Sequence, residues 1–253
     1  MKISVITVTY NSAATIVDTV QSVLGQTHPD VEYLLIDGGS TDATLAKLEP
    51  YSERLAALVS EPDEGMYDAM NKGIARATGE VVAILNSDDV YADADVLARV
   101  AACFEESGAD SVYGNLHYVS PDLRRVVRDW IAGPYSPGQF RRGWHPPHPS
   151  FFVRRAVYAS LGGFRTELRI AADYEFMLRV LAKEARSVAY LPWVCVKMRT
   201  GGASNRSVAN IVRANHECYR AWRMNGYRAL SASAAVLCKP LRKLKQLRTT
   251  RAK

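Results

Sequence analysis

Apolar runs alternate with amphipathic stretches from the start of the chain. Ile3 to Val8 reads as a strand, and about Ala14 to Leu24 repeats apolar positions at helical spacing behind Tyr10-Asn11-Ser12, which supplies capping chemistry. A second strand, Tyr33 to Ile36, ends at Asp37-Gly38-Gly39-Ser40-Thr41-Asp42. Further apolar runs cover 55–59 and 81–85, and the latter ends at Asn86-Ser87-Asp88-Asp89. Short strands that are apolar on both faces and separated by helical patterns predict an α/β fold with parallel strands covered on both sides. Three of them deliver polar residues to one sheet edge, where such proteins bind ligands.

The length of 253 residues, 48% hydrophobic, suits one large domain, and no repeat competes with that reading. Four scattered cysteines, Cys103, Cys195, Cys218 and Cys238, form neither a disulfide framework nor a Cys-x-x-Cys pair, so a reducing compartment is expected. The first strand fits neither a signal peptide nor a membrane span, which points to the cytoplasm. The formal charge of +6 is unevenly placed. Ten of the 32 basic residues follow Glu217 and no acidic residue does, so positions up to 217 carry −4 and the remainder +10. A basic tail on an acidic body suits an anionic surface.

Asp88 and Asp89 offer hard carboxylate oxygens for Mg²⁺ or Mn²⁺ bridging a diphosphate, although capping of the next helix also explains acidic residues there. Asp37 suits either a nucleoside contact or a turn, since Gly38-Gly39 admits unusual backbone angles and Ser40 or Asp42 can cap a helix. No Gly-x-Gly-x-x-Gly and no P-loop pattern occurs. Tyr67, Asp68, Asn71 and Lys72 gather at the start of a short helix. They either face the ligand cleft or face water while Met66, Met70 and Ile74 pack. His145 and His148, in a proline-rich loop before an apolar strand, suit hydrogen bonds to phosphate or sugar better than zinc ligation, with a structural loop as the alternative. Arg141 and Arg142 add positive charge for an anionic acceptor. Asp173 and Glu175 open a helix, where capping and proton abstraction are both compatible with the pattern.

Taken together, Val5 to Asn11, Ile36 to Asp42, Gly65 to Gly73 and Leu85 to Asp89 closely resemble the family 2 inverting glycosyltransferases over about residues 1–200. The resemblance implies a GT-A fold with one mixed, mostly parallel sheet flanked by helices. It implies a nucleotide-sugar-binding half, about 1–110, and an acceptor-binding half, about 111–217, in one catalytic domain, 1–217, whose end is drawn at the charge break after Glu217 and leaves 218–253 as a basic helical extension. It sets Thr9, Tyr10 and Asn11 beside the nucleoside, Asp37 on the base, Tyr67, Asp68, Asn71, Lys72 and Asp88 along the donor, and Asp88 with Asp89 as the Asp-x-Asp equivalent. Asp89 is the expected direct metal ligand. Asp173 matches the catalytic base, with Ala172 where the family often has glutamate, as in the exopolysaccharide and lipopolysaccharide subgroup.

The implied reaction is a single displacement with inversion, from a nucleoside-diphosphate sugar to a saccharide acceptor. The lipid-linked acceptor of bacterial surface polysaccharide assembly fits the subgroup and the tail, with the stretch from Trp130 to Trp144 shaping the acceptor site alongside His145, His148, Arg141 and Arg142. A non-catalytic nucleotide-sugar or glycan-binding protein on the same scaffold is the alternative. Leu237, Leu241, Leu244 and Leu247 can line one face of a tail helix among basic residues, which predicts peripheral attachment to the inner face of the plasma membrane. A solvated tail or a homodimer contact is the other reading, and nucleic acid is not an expected partner.

Overall fold

The computed structural model describes residues 1–201 and 208–249, and for 208 and 240–249 the backbone alone. Strands β1 (Ile3–Thr9), β2 (Val31–Asp37), β3 (Ala57–Ser60) and β4 (Val81–Ile84) lie in the order β3-β2-β1-β4 and are all parallel. Their two-sided apolarity explains this arrangement. Alternate residues feed two separate cores, with Ile6, Val8, Leu34 and Ile36 on one face and Ile3, Val5, Tyr33 and Leu35 on the other.

Helices α1 (Ile16–Leu24), α2 (Thr44–Leu48), α3 (Met66–Arg76) and α4 (Val96–Ser107) cover these faces. Buried Val20 and Val23 of α1 share one core with Val100 and Phe104 of α4, while Tyr67 and Met70 of α3 pack on the opposite face. Gly73 lets α3 approach β1 closely, because a Cβ there would come within 2.5 Å of Ile6 Cγ2.

The rest of the sheet is mixed. β5 (Asp89–Tyr91), β6 (Ser111–Val119), β7 (Val126–Trp130), β8 (Phe151–Arg154) and β9 (Val188–Arg199) complete one sheet, which continues from β4 as β8-β6-β9-β5 with β7 on the side of β6. Only β6 with β9 is parallel among these pairs. Helix α5 (Arg155–Leu161) follows β8, and α6 (Ala172–Leu178) runs into a π-turn at Arg179–Lys183. Glu175, fully buried in α6, is held by Arg179 Nη2 at 3.0 Å and Asn225 Nδ2 at 2.9 Å, so its role is structural.

The chain closes with α7 (Val208–Met224) and α8 (Ala229–Thr249). Position 217, drawn from charge as a boundary, falls inside α7. Trp222 of α7 and Ala232 and Ala235 of α8 are buried in the same core as Tyr174 and Trp144. Lys239 of α8 lies 4.1 Å from the Tyr174 ring centre and donates to Cys218 Sγ at 2.9 Å, so the first turns of the basic extension are docked on the body. Leu237 is exposed. The expected stripe beyond it, Leu241, Leu244 and Leu247, lies outside the described side chains. Among the described residues no helix is long and apolar enough to cross a membrane, and all four cysteines are free thiols.

Candidate active site

The ends of β1 and β2 are knitted into one loop system. Asn11, with φ of 49°, accepts from the Thr41 and Asp42 amides at 2.8 and 3.2 Å through Oδ1, and its own N–H donates to Ser40 Oγ at 2.8 Å. This replaces the expected helix cap, because α1 begins instead with Thr15 and Ile16 donating to the Ser12 carbonyl. Tyr10 is 61% exposed beside this loop, and Thr9 Oγ1 is buried with no partner among the described residues.

Asp37 differs from its expected role on the base. It is fully buried, and its carboxylate accepts from the Gly39 and Ser40 amides at 3.1 and 2.9 Å and from Ser60 Oγ at 2.7 Å. These bonds make it the organiser of the Gly-Gly turn. Asp63, which no sequence pattern singled out, lies against that turn, and a Cβ on Gly38 would come 2.3 Å from Asp63 Oδ2.

The loop from β4 to β5 carries the acidic pair. Ser87 is tied to the start of α1 through Ser12 Oγ at 2.8 Å and Thr15 Oγ1 at 2.8 Å. Asp88 is half-buried at the surface of this loop, whereas Asp89 opens β5 and is 1% exposed. The Arg199 amide donates to Asp89 Oδ1 at 3.3 Å, and Asn86 Nδ2 lies 3.4 Å from Oδ2. Burial pushes the Asp89 carboxyl well above the usual carboxylate range, with the charge of Asp88 adding to the effect. Asp89 is therefore turned inward by its pairing with β9, whereas Asp88 stays half-buried at the loop surface. The Asn86 side-chain oxygen Oδ1 is buried without a partner among the described residues. The Asp88 carboxylate and the Asn86 amide oxygen, two positions apart on this loop, are of the chemical type that Mg²⁺ or Mn²⁺ takes, one or two protein oxygens with water and phosphate completing the shell. No group of three or more metal-binding side chains occurs among the described residues.

Across the cleft, Asp173 starts α6. Tyr67 OH donates to its Oδ1 at 3.0 Å and to the Ile170 carbonyl at 2.9 Å, and His148 Nδ1 lies 3.0 Å from Oδ2. Burial and the Asp173 charge hold the Tyr67 hydroxyl well above the ordinary phenol range, so it remains a donor. Tyr118 of β6 stacks on Trp130 nearby. Burial raises its hydroxyl, and the Arg128 guanidinium, 3.9 Å from the ring centre, opposes this.

Other expected contacts belong to the scaffold. Asn71 pairs both ends of its amide with the Phe164 backbone at 2.8 Å, and Lys72 Nζ binds the Pro62 carbonyl at 3.0 Å, Glu61 at 3.2 Å and Asp68 at 3.3 Å. Trp144 is 2% exposed within a ring cluster with Tyr135 and Phe140, and its Nε1 donates to the Ala132 carbonyl at 2.9 Å. It is core, not an acceptor platform. Arg141 and Arg142 are exposed on a 3-10 turn between αL glycines Gly138 and Gly143, and the Gly143 backbone abuts Cys238 of α8. His145 stands edge-on to Trp130 at 5.1 Å and Tyr174 at 5.4 Å, and Trp130 stacks on Tyr118.

Comparison with known proteins agrees with this geometry. The chain matches the family described as Glycosyl transferase family 2 over residues 4–159. It belongs to glycosyl transferase family 2. It is similar to a "PGL/p-HBAD biosynthesis glycosyltransferase" of Mycobacterium bovis (strain BCG / Pasteur 1173P2), 33% identical over 210 residues that cover 81% of this chain and 80% of that protein. Among solved structures, S. aureus TarS in complex with UDP-GlcNAc superposes with a TM-score of 0.73 at 21% identity, covering 98% of this chain and 74% of the other. A mannosyltransferase from Pyrobaculum calidifontis in complex with GDP-Man and Mn²⁺ gives 0.66 at 20% identity, covering 100% and 76%. These likenesses show the fold, and the single mixed sheet with flanking helices is the GT-A-like architecture of this glycosyl transferase family 2 member.

Proposed function

We propose that the protein transfers a sugar with inversion from a nucleoside-diphosphate sugar to a saccharide hydroxyl. The observation that carries this reading is the hydrogen bond from Tyr67 to Asp173, which fastens the nucleotide half to the acceptor half at the point where a base is needed. Thr9, Tyr10, Asn11 and the loop organised by Asp37 hold the nucleoside, and the segment around Asp88 faces the diphosphate. A Mg²⁺ or Mn²⁺ bound by Asp88 and the Asn86 oxygen would supply positive charge to the leaving diphosphate. The related structures solved with UDP-GlcNAc and with GDP-Man and Mn²⁺ support that donor class and that metal. Asp173 with its bonded neighbours receives the acceptor side, where the hydroxyl loses its proton as it attacks the anomeric carbon.

The acceptor in this reading is a membrane-presented, lipid-linked saccharide of surface polysaccharide assembly. Support comes from the basic C-terminal sequence and from exposed Ile211, Val212, Leu230 and Leu237 on α7 and α8. A panel of UDP, GDP and dTDP sugars with Mn²⁺ and a membrane-extract acceptor tests the function, with the anomeric configuration of the product read by NMR. A retained configuration, or binding without transfer to any acceptor, overturns it. Co-sedimentation with anionic liposomes tests the tail. The shortened protein should end after Pro240, since Cys238 and Lys239 pack on the body. Equal binding of both forms removes the membrane role.

A further inference from the structure

Asp173 stands on a turn that its own neighbours do not hold. Helix α6 starts behind Ala171, whose side chain cannot cap it, and Ala172 follows. The Ile170 and Ala171 amides instead both donate to one oxygen of Glu217, Oε2, at 2.7 and 3.0 Å. Glu217 belongs to α7, 46 positions from Ala171, and is 5% exposed. Burying a carboxylate is costly unless hydrogen bonds compensate, and here they come from the backbone just ahead of Asp173. Ile170 is then held from both sides, because its carbonyl lies 2.9 Å from the Tyr67 hydroxyl, which is also 3.0 Å from Asp173 Oδ1. Past Asp173, the Tyr174 hydroxyl accepts from Trp222 Nε1, again of α7, at 2.9 Å. α7 thus grips the turn before and after Asp173, although it lies beyond the segment 4–159 that matches the family. Glu175 offers the contrast, since its bonds run to Arg179 and Asn225 and to none of the groups of the site.

We propose that Glu217 is a positioning residue of the transfer reaction: it fixes the Ile170–Ala171 backbone, and through it the place of Asp173 opposite the acceptor hydroxyl, an inference that rests on the glycosyltransferase reading above. Being buried, Glu217 acts through the turn and not on a substrate. A carboxylate suits the task because one oxygen carries two lone pairs and accepts from two adjacent amides at once, which fixes both peptide planes. Reaction geometry is unforgiving, and displacing a reacting group by about 1 Å costs about 10²-fold in rate. Among the described residues, the loops at the ends of β1, β2 and β4 share no hydrogen bond with Glu217, whose two bonds both go to the Asp173 turn. Its contribution therefore falls on the chemical step and not on donor binding.

Substitutions at this one position separate positioning from mere support. Glu217→Gln keeps an acceptor oxygen at the same reach, Glu217→Asp keeps the charge but draws the oxygen back by one methylene, and Glu217→Ala removes it. Calorimetric titration with the nucleoside diphosphate of the best donor counts folded sites, so that kcat per site does not register a loss of folded protein. Glu217→Asp and Glu217→Ala should lose about 10- to 100-fold in kcat per site with donor KM within about twofold of native, and Glu217→Gln should recover to within about threefold. If Glu217→Ala does not fold, the Asp and Gln variants decide. A rate per site within about threefold of native in Glu217→Asp, with only the urea midpoint lowered, would reduce Glu217 to a structural cap and overturn the proposal. A loss taken up in donor KM instead of kcat also overturns it. In a cycle of Glu217→Asp with Tyr67→Phe, both of which act on the same Ile170 peptide, the losses in kcat should fall short of additive by about threefold or more, and strict additivity counts against the proposal. Failure of the wider reading shows in the native protein, which would then transfer no sugar, whereas failure of this inference leaves native transfer intact and shows only in the variants.

Discussion

The guanidinium of Arg199 donates through Nη1 to the backbone carbonyl of Asp88 at 2.7 Å, so the end of β9 holds the loop that presents the candidate metal ligand. The same side chain donates to the Pro121 carbonyl at 2.8 Å and pairs with Asp18 at the start of α1, while only 6% of it is exposed. Arg199→Ala would leave two carbonyls without their donor and should cost about 3 kcal/mol in urea unfolding. Arg199→Lys should recover little, because one ammonium cannot reproduce the fork. Nucleotide affinity should fall with stability in both variants. A native-like unfolding midpoint for Arg199→Ala would show that the loop holds itself.

The two neighbouring acids should separate sharply. Asp88→Asn should reduce turnover by about 100-fold or more and remove the Mn²⁺ dependence of nucleotide binding, since a hard cation loses its only charged protein ligand. Asp89→Asn keeps an acceptor for the Arg199 amide and relieves an inward-facing charge, so nucleotide affinity should stay within about threefold of native. Calorimetry with and without Mn²⁺ distinguishes the pair. Equal loss in both variants would restore Asp89 as the ligand, as the family resemblance implied.

How much of this site was legible in advance depended on which interactions are local. The strands β1 to β4 were readable because each is apolar on both faces and ends in polar residues at the same edge. β5 was not, and with it went the direction of Asp89: only the register Asp89 to Met198 with β9 turns that side chain inward. Tyr67 and Asp173 were both named from local pattern, yet their bond spans 106 positions. Trp144 was misjudged for a related reason. Aromatic residues in a Gly-Pro loop look available for sugar stacking, whereas here Trp144 packs on Tyr135 and Phe140 in a core that also takes in Ala232 and Ala235 of α8, far along the chain. Asp63 carried no signal, because its significance comes from the missing Cβ of Gly38.

Stability should depend on acid through a residue far from the cleft. Burial would raise the Glu32 carboxyl, but hydrogen bonds from Ser4, Thr78 and Lys2 outweigh it and lower the pKa to about 2. A depressed carboxylate pKa contributes stability that is complete above the unfolded value, near 4.5, and is lost as pH falls towards about 2. Glu32→Gln should therefore cost about 2 kcal/mol at neutral pH, and the gap to the native protein should close between those two values. Urea unfolding at several pH values checks it. A gap that stays constant down to the lower value would mean that lost packing, not lost charge, is responsible.

Gly38 and Asp63 should behave as one unit. The Asp37 carboxylate is enclosed by its own turn, which leaves Asp63 as the half-buried acid against the nucleoside loop, with Oδ1 fixed by the Gly65 amide at 2.8 Å and Oδ2 lying over Gly38. Any side chain at 38 must displace Asp63, since the distance of 2.3 Å from an added Cβ to Oδ2 is far inside contact. Asp63→Asn should weaken nucleotide binding roughly tenfold, the scale of one hydrogen bond to a charged acceptor. Gly38→Ala should do the same by moving the carboxylate, and should also destabilise the fold by about 1 to 3 kcal/mol through overpacking. In Gly38→Ala with Asp63→Ala the obstruction is gone, so the double variant should be more stable than the two separate losses require, by about 0.5 to 3 kcal/mol of coupling. Strict additivity in that cycle, or nucleotide affinity unchanged by Asp63→Asn, would show that the acid merely fills space beside the turn.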